Sequence, residues 1–159
     1  AAPSYPRIRM GGHSQGAGTA ALVGYLKPLA RVVQFAGVCD RSDWTARLGP
    51  PMTHSTKFFG LASRWDTYCD TFRAQVASWR SEGALKNSSQ PMKLHAMDKV
   101  TVKSMGAARV AIADLLPFGC TEAIKNQTCA RWSHAIVAKN WPNGTSPFAN
   151  GIWQSLVGV

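Results

Sequence analysis

Short apolar runs alternate with longer segments of helical periodicity along this chain. The run at 31–38 is almost entirely apolar, which is typical of a parallel strand buried on both faces of a sheet. The segment 67–80 instead carries large apolar residues at three- and four-residue intervals, which predicts an amphipathic helix. We predict strands at 6–11, 31–38, 56–62 and within 91–104. We predict helices at 15–27, 67–80 and 133–140, a helix or tail at 151–159, and either element at 107–117.

The order of these elements is strand, helix, strand, loop, strand, helix, strand, which is typical of α/β proteins. We therefore predict a mostly parallel sheet flanked by helices. A chain of 159 residues is long enough for one domain with a substantial core, so we predict one domain over 1–159. Functional groups in such sheets lie at the carboxyl ends of the strands, so we expect the candidate functional residues at those ends.

The segment Gly12-His13-Ser14-Gln15-Gly16 matches the pattern G-x-S-x-G and lies between a predicted strand and a predicted helix. This context matters because a sharp strand-to-helix turn exposes the serine oxygen, and glycines leave room for the tight backbone. The start of the helix also directs N–H groups toward developing negative charge. The segment therefore predicts that Ser14 is a nucleophile.

In this context the segment resembles the nucleophile elbow of the α/β-hydrolase superfamily, in the G-H-S-Q-G form common among esterases and lipases. The resemblance implies an α/β-hydrolase-like fold that cleaves a small-molecule or lipid ester without a cofactor. It implies that Ser14 is the nucleophile and that the backbone N–H of Gln15 donates to the oxyanion. It also implies the chain order nucleophile, acid, histidine. Acyl transfer to an alcohol would use the same residues and stays open.

Asp66 follows the strand predicted at 56–62 by a few residues, where the resemblance places the acid of the triad. Its carboxylate would accept the ring N–H of the histidine and thereby select the tautomer. Asp40 and Asp43 follow the preceding strand and form an alternative, because some members take the acid from that position. Asp70 falls within the predicted helix and is more typical of a surface or capping carboxylate.

His134 follows Asp66 along the chain and lies where a helical stretch begins. The general base of the superfamily lies in a loop that opens the last helix, so the resemblance implies that His134 is the base. The other histidines fit this role less well. His95 reads as a strand residue, His54 falls in a loop, and His13 reads as a packing residue inside the elbow.

The four cysteines, Cys39, Cys69, Cys120 and Cys129, permit three pairings. Their spacing does not suit zinc, and no metal site is predicted. We predict two disulfides in a secreted or periplasmic protein. A Cys39–Cys69 bond would tether the loop that carries Asp66, and a Cys120–Cys129 bond would close a short loop before His134.

Only 13 residues precede Ser14, whereas the superfamily has several strands before the elbow. The expected fold therefore lacks the usual N-terminal strands and the loop that supplies the second oxyanion donor. We predict that the chain is the C-terminal part of a larger fold. A second chain or an N-terminal fragment would then complete the sheet.

The net charge of +10 comes from single basic residues scattered along the chain, so it does not favour a nucleic-acid partner. No apolar stretch is long enough to span a bilayer. An alternative function is a non-catalytic module that binds an anionic polymer or glycan. That module would use aromatic residues beside basic ones, at Arg64-Trp65, Trp79-Arg80 and Arg131-Trp132.

Overall fold

A computed structural model describes residues 3–37, 47–68, 72–85, 91–95, 108–114, 120–121, 127–138 and 152–158. In these ranges one sheet has the strand order β1-β2-β3-β5-β4, and every neighbouring pair is parallel. The strands are β1 (Arg9–His13), β2 (Arg31–Phe35), β3 (Phe58–Ser63), β4 (Met92–His95) and β5 (Val110–Asp114). The helices are α1 (Gln15–Leu26), α2 (Phe72–Ser81), α3 (Gln127–Ala135) and α4 (Ile152–Val157). The predicted α/β class with a parallel sheet is confirmed.

Both faces of the sheet are covered by apolar side chains. Successive strand residues point to opposite faces, so Val32 and Val33 of β2 belong to different cores. The core that includes Val32 is completed by α1 and α2, with Tyr25 and Trp79 among its large members. The core that includes Val33 is completed by α4 and by Ile136 and Val137, the two residues that follow α3. The inner strands β2, β3 and β5 are largely apolar because both of their faces are buried.

Small residues bring helix α1 close to the sheet. A Cβ atom added at Gly24 would lie 2.7 Å from Cγ2 of Val32 and 3.0 Å from Cζ of Phe58. Ala20 and Ala21 are fully buried on the same helix. The alanines and glycines that predicted this helix therefore also determine how closely it packs.

Helix α2 packs on β3 through a similar close approach. A Cβ atom at Gly60 would lie 2.3 Å from Cε2 of Trp79, which is fully buried. Trp79 therefore belongs to the core. It does not contribute to an aromatic and basic surface of the kind that the binding-module alternative requires at Trp79-Arg80.

Several predicted boundaries were wrong. Strand β1 begins at Arg9, after a short 3-10 helix at Tyr5–Arg7, and extends through His13. Strand β2 ends at Phe35 because Ala36 and Gly37 adopt positive φ angles of 55° and 67°. Helix α2 covers Phe72–Ser81, whereas Tyr68, predicted within it, lies before it in the chain.

In the carboxyl-terminal half, one predicted boundary is wrong, and two segments for which the prediction left two possibilities now have one. Segment 107–117, which fitted either element, contains strand β5, inserted in the sheet between β3 and β4. Helix α3 covers Gln127–Ala135 and therefore begins before the predicted range of 133–140. Helix α4 confirms a helix in the segment predicted as a helix or tail.

Strands β1 and β4 are the outer strands of the sheet in the described ranges. A neighbouring strand from a second chain or fragment beyond β1 stays a prediction. Within those ranges no helix has the length and apolar character that crossing a membrane requires.

Candidate active site

Ser14 occupies a strained turn between β1 and α1. Its φ and ψ angles are 60° and −125°, a region that residues with side chains adopt rarely and at a cost of about 1–3 kcal/mol. The Ser14 N–H donates to the Phe35 carbonyl at 3.0 Å, and the Ser14 carbonyl accepts from the Ala17 N–H at 2.9 Å. Backbone hydrogen bonds to β2 and to α1 therefore hold the turn on both sides.

The two glycines of the G-x-S-x-G segment have different roles in this turn. A Cβ atom at Gly12 would lie 1.9 Å from the carbonyl oxygen of Gly16, so only glycine fits at Gly12. A Cβ atom at Gly16 would have no neighbour within 4 Å. The close approach of strand and helix backbones thus depends on the first glycine.

Gln15 is the first residue of α1. The first N–H groups of a helix have no partner within that helix, and they carry its partial positive charge. The backbone N–H of Gln15, predicted to donate to an oxyanion, therefore lies directly beside the Ser14 turn at the positive end of α1.

Asp66 and His134 are joined by a hydrogen bond although 68 positions separate them. Nδ1 of His134 lies 2.8 Å from Oδ2 of Asp66, and both residues are buried, with 5% and 0% of their surface exposed. An ionised carboxylate only accepts, so Nδ1 donates, and in the neutral imidazole Nε2 carries the lone pair. The histidine therefore has the tautomer that a general base requires.

The Asp66 carboxylate is held by its own loop and by helix α2. Oδ1 accepts from the Tyr68 N–H at 3.0 Å, and Oδ2 accepts from Nε2 of Gln75 at 3.5 Å. The Asp66 N–H donates to the Ser63 carbonyl at the end of β3. These contacts orient the carboxylate toward His134 and give it the partners that a buried charge needs.

His134 lies in the last turn of α3, so its predicted place in a loop that opens the last helix was wrong. The helix is covalently anchored by the disulfide between Cys129 and Cys120, whose Cα atoms are 5.8 Å apart. This predicted pairing is confirmed. Chain entropy in the unfolded state makes a loop of this length worth about 3 kcal/mol.

His13 connects the Ser14 turn to α3. Its Nε2 lies 2.8 Å from the backbone carbonyl of His134, and the two imidazole rings have centroids 4.7 Å apart. Since a carbonyl only accepts, Nε2 of His13 donates. The residue next to Ser14 is thus in direct contact with His134. The sequence indicated only a packing role for His13, and nothing in its local pattern signals this long-range bond.

The site lies at the carboxyl end of the sheet. Ser14 follows β1 and Asp66 follows β3, and in parallel strands these ends share one edge. Of the other predicted candidates, His54 caps a 3-10 helix and contacts Thr56, and His95 ends the outer strand β4. The remaining candidates lie outside the described residues: Asp40, Asp43, Asp70, Cys39 and Cys69.

Among the residues that the structure describes, no group of three or more His, Cys, Asp or Glu side chains is arranged to hold a metal ion. No protein-family model matches this chain, and neither a curated protein nor a solved structure matches it.

Proposed function

We propose that this chain is a serine hydrolase of the α/β-hydrolase type that cleaves carboxylic esters. One observation carries the proposal: the histidine of a buried Asp66–His134 hydrogen bond of 2.8 Å contacts His13, the residue before the strained turn at Ser14. His13 links that turn to His134. A nucleophile, a base and an orienting acid assembled at the carboxyl end of a parallel sheet are the parts that acyl transfer needs.

In the proposed reaction, Nε2 of His134 takes the proton from Oγ of Ser14 as Oγ bonds to the ester carbonyl carbon. The Gln15 N–H donates to the resulting oxyanion. The carbon–oxygen bond to the alcohol then breaks, and His134 returns the proton to the departing alkoxide oxygen. Water, deprotonated by His134, then attacks the acyl carbonyl carbon. The bond from that carbon to Oγ breaks, and His134 returns the proton to Oγ, which releases the acid and free Ser14.

Asp66 acts through His134 in this scheme. It accepts from Nδ1, which keeps Nε2 available as the base, and it stabilises the imidazolium that forms when the proton moves. Burial strengthens this stabilisation because the surrounding dielectric is low.

The first test is covalent labelling of Ser14. A fluorophosphonate probe should modify the protein on the peptide that contains Ser14, and Ser14→Ala should lose both labelling and hydrolysis of short-chain nitrophenyl esters. Ser4→Ala is a matched control, because Ser4 is exposed and precedes β1. Undiminished hydrolysis by Ser14→Ala would refute the proposal.

A secreted or periplasmic location is part of the proposal. The Cys120–Cys129 disulfide supports it, because such bonds persist in oxidising compartments.

A non-catalytic module for an anionic polymer or glycan is the second candidate. It is favoured by basic groups over aromatic rings: Arg64 lies 5.2 Å from the Trp65 ring centroid, and Arg131 lies 5.7 Å from that of Tyr68. This function predicts salt-sensitive retention on heparin and no reaction of Ser14 with the probe. Labelling of Ser14 would decide between the two functions.

A further inference from the structure

An aromatic ring and a guanidinium group border the candidate base. The Tyr68 ring lies 5.3 Å from the His134 ring, centroid to centroid, and 49% of Tyr68 is exposed. The guanidinium carbon of Arg131 lies 5.7 Å from the Tyr68 centroid. Arg131 therefore contacts Tyr68, and Tyr68 in turn contacts the imidazole of His134, at which the proposed chemistry takes place.

Helix α3 presents Arg131 on the side of His134. The two residues are three positions apart, so they lie on the same side of the helix. Arg131 is exposed whereas His134 is buried, so the arginine is closer to solvent at the rim of the site.

Each acidic residue in the described ranges has a partner other than Arg131. Asp66 accepts from His134, Glu82 accepts from Gln34, and Asp114 pairs with Arg64 at 3.2 Å. None of these carboxylates pairs with Arg131. Within the described part of the chain, the guanidinium of Arg131 therefore lies over an aromatic ring and pairs with no carboxylate, an arrangement suited to binding an anion.

We infer that the substrate of this site is an acidic ester, and that Arg131, positioned by Tyr68, binds its negative charge. The inference rests on the proposed function and names the substrate class of the same site. The planar donors of arginine match a carboxylate in two parallel hydrogen bonds. The net charge of +10 also favours the approach of an anionic molecule.

The charge of such an ester lies either on the acyl part or on the alcohol part, and two substrate pairs distinguish these sources. For the acyl part, mono-4-nitrophenyl adipate is compared with its methyl ester. For the alcohol part, 4-acetoxybenzoate is compared with methyl 4-acetoxybenzoate. Each kcat/KM is divided by the rate of hydrolysis by hydroxide, which removes intrinsic differences in reactivity.

In at least one pair we expect the wild-type protein to prefer the charged ester by about tenfold, a ratio that corresponds to one charge-assisted contact. Arg131→Gln should bring the ratio close to one, and Arg131→Glu should invert it. Arg7→Gln is the matched control, because Arg7 is exposed at the amino end of β1, opposite the site. It should keep the wild-type ratio and activity. A ratio that Arg131→Gln leaves unchanged in both pairs would overturn the inference.

A binding measurement separates failure of this inference from failure of the proposed function. The amide analogues 4-acetamidobenzoate and adipic acid mono-anilide are titrated into Ser14→Ala, each against its methyl ester. The acid should bind tighter than its ester by about tenfold in the pair that matches the substrate. The added Arg131→Gln substitution should abolish that difference. Equal binding of acid and ester in both pairs refutes the acidic-ester inference, whereas a wild-type protein without hydrolytic activity refutes the proposed function.

Discussion

At the scale of single residues, the backbone at the Ser14 turn depends on one glycine and not on the other. A Cβ atom added at Gly12 would lie too close to the carbonyl oxygen of Gly16, whereas a Cβ atom added at Gly16 would have no neighbour within 4 Å. Substitution of these two glycines should therefore change the free energy of unfolding in opposite directions.

Gly12→Ala should lower the free energy of unfolding by about 3 kcal/mol, because the new methyl group displaces the start of α1. Gly16→Ala should raise it by about 0.5–1 kcal/mol, because alanine reduces the freedom of the unfolded chain and fits the helix. Urea denaturation of both variants measures the difference. Equal destabilisation would mean that the turn does not have the described geometry.

The Asp66–His134 hydrogen bond predicts a large kinetic effect of a small change. If the side-chain oxygen in Asp66→Asn keeps the hydrogen bond from the Tyr68 N–H, its NH2 group faces Nδ1 of His134 and donates to it. The imidazole proton then lies on Nε2, and the base is lost. Under the proposed mechanism kcat should fall about 10⁴-fold. Steady-state kinetics with a nitrophenyl ester would measure it.

Asp114→Asn is the matched control for that substitution. Asp114 pairs with Arg64, whose side chain is 53% exposed, and such a pair contributes little to stability. Its activity should stay near that of the wild-type protein. A comparable loss of kcat in both variants would contradict a specific role for Asp66.

At the scale of elements, a second buried carboxylate joins β2 to the residues after α2. Oε2 of Glu82 accepts from Nε2 of Gln34 at 2.5 Å, and Oε1 accepts from the Ser78 hydroxyl at 3.3 Å. Burial raises the pKa of Glu82 from 4.5 to about 7, although both hydrogen bonds act to lower it. Burial, and then the charge of Glu82, also raises the pKa of Tyr25.

This carboxylate predicts a pH dependence of stability. Between pH 4.5 and about 7 the folded protein retains the Glu82 proton while the unfolded chain has lost it. The folded state therefore binds more protons, and the free energy of unfolding falls as pH rises through that window, by about 3 kcal/mol in total.

Glu82→Gln should flatten this dependence and should be more stable than the wild-type protein above the window, because glutamine cannot ionise. Urea denaturation on both sides of the window measures both effects. Ser4→Ala, at an exposed residue without an ionisable side chain, should keep the wild-type slope. An unchanged slope in Glu82→Gln would show that another group titrates.

At the scale of the whole molecule, the local sequence pattern predicted the class of fold but not the order of the strands in the sheet. The apolar runs that became β2 and β3 were recognisable because both faces of these strands are buried. The order β3-β5-β4 was not predictable, since residues far apart in the chain pair only after the sheet forms. The predicted ends of α2 and α3 were also wrong. Hydrophobic periodicity indicates that a helix forms, but it does not show at which residue the helix begins or ends.

The candidate site divides in the same way. By itself the sequence determined the turn at Ser14, because G-x-S-x-G between a strand and a helix is a local pattern with a local cause. Only the tertiary structure decided that Asp66 meets His134, that His13 contacts the same histidine, and that Arg131 lies over Tyr68. Those contacts join residues from different elements, and parallel packing of the strands is what brings their carboxyl ends to one edge.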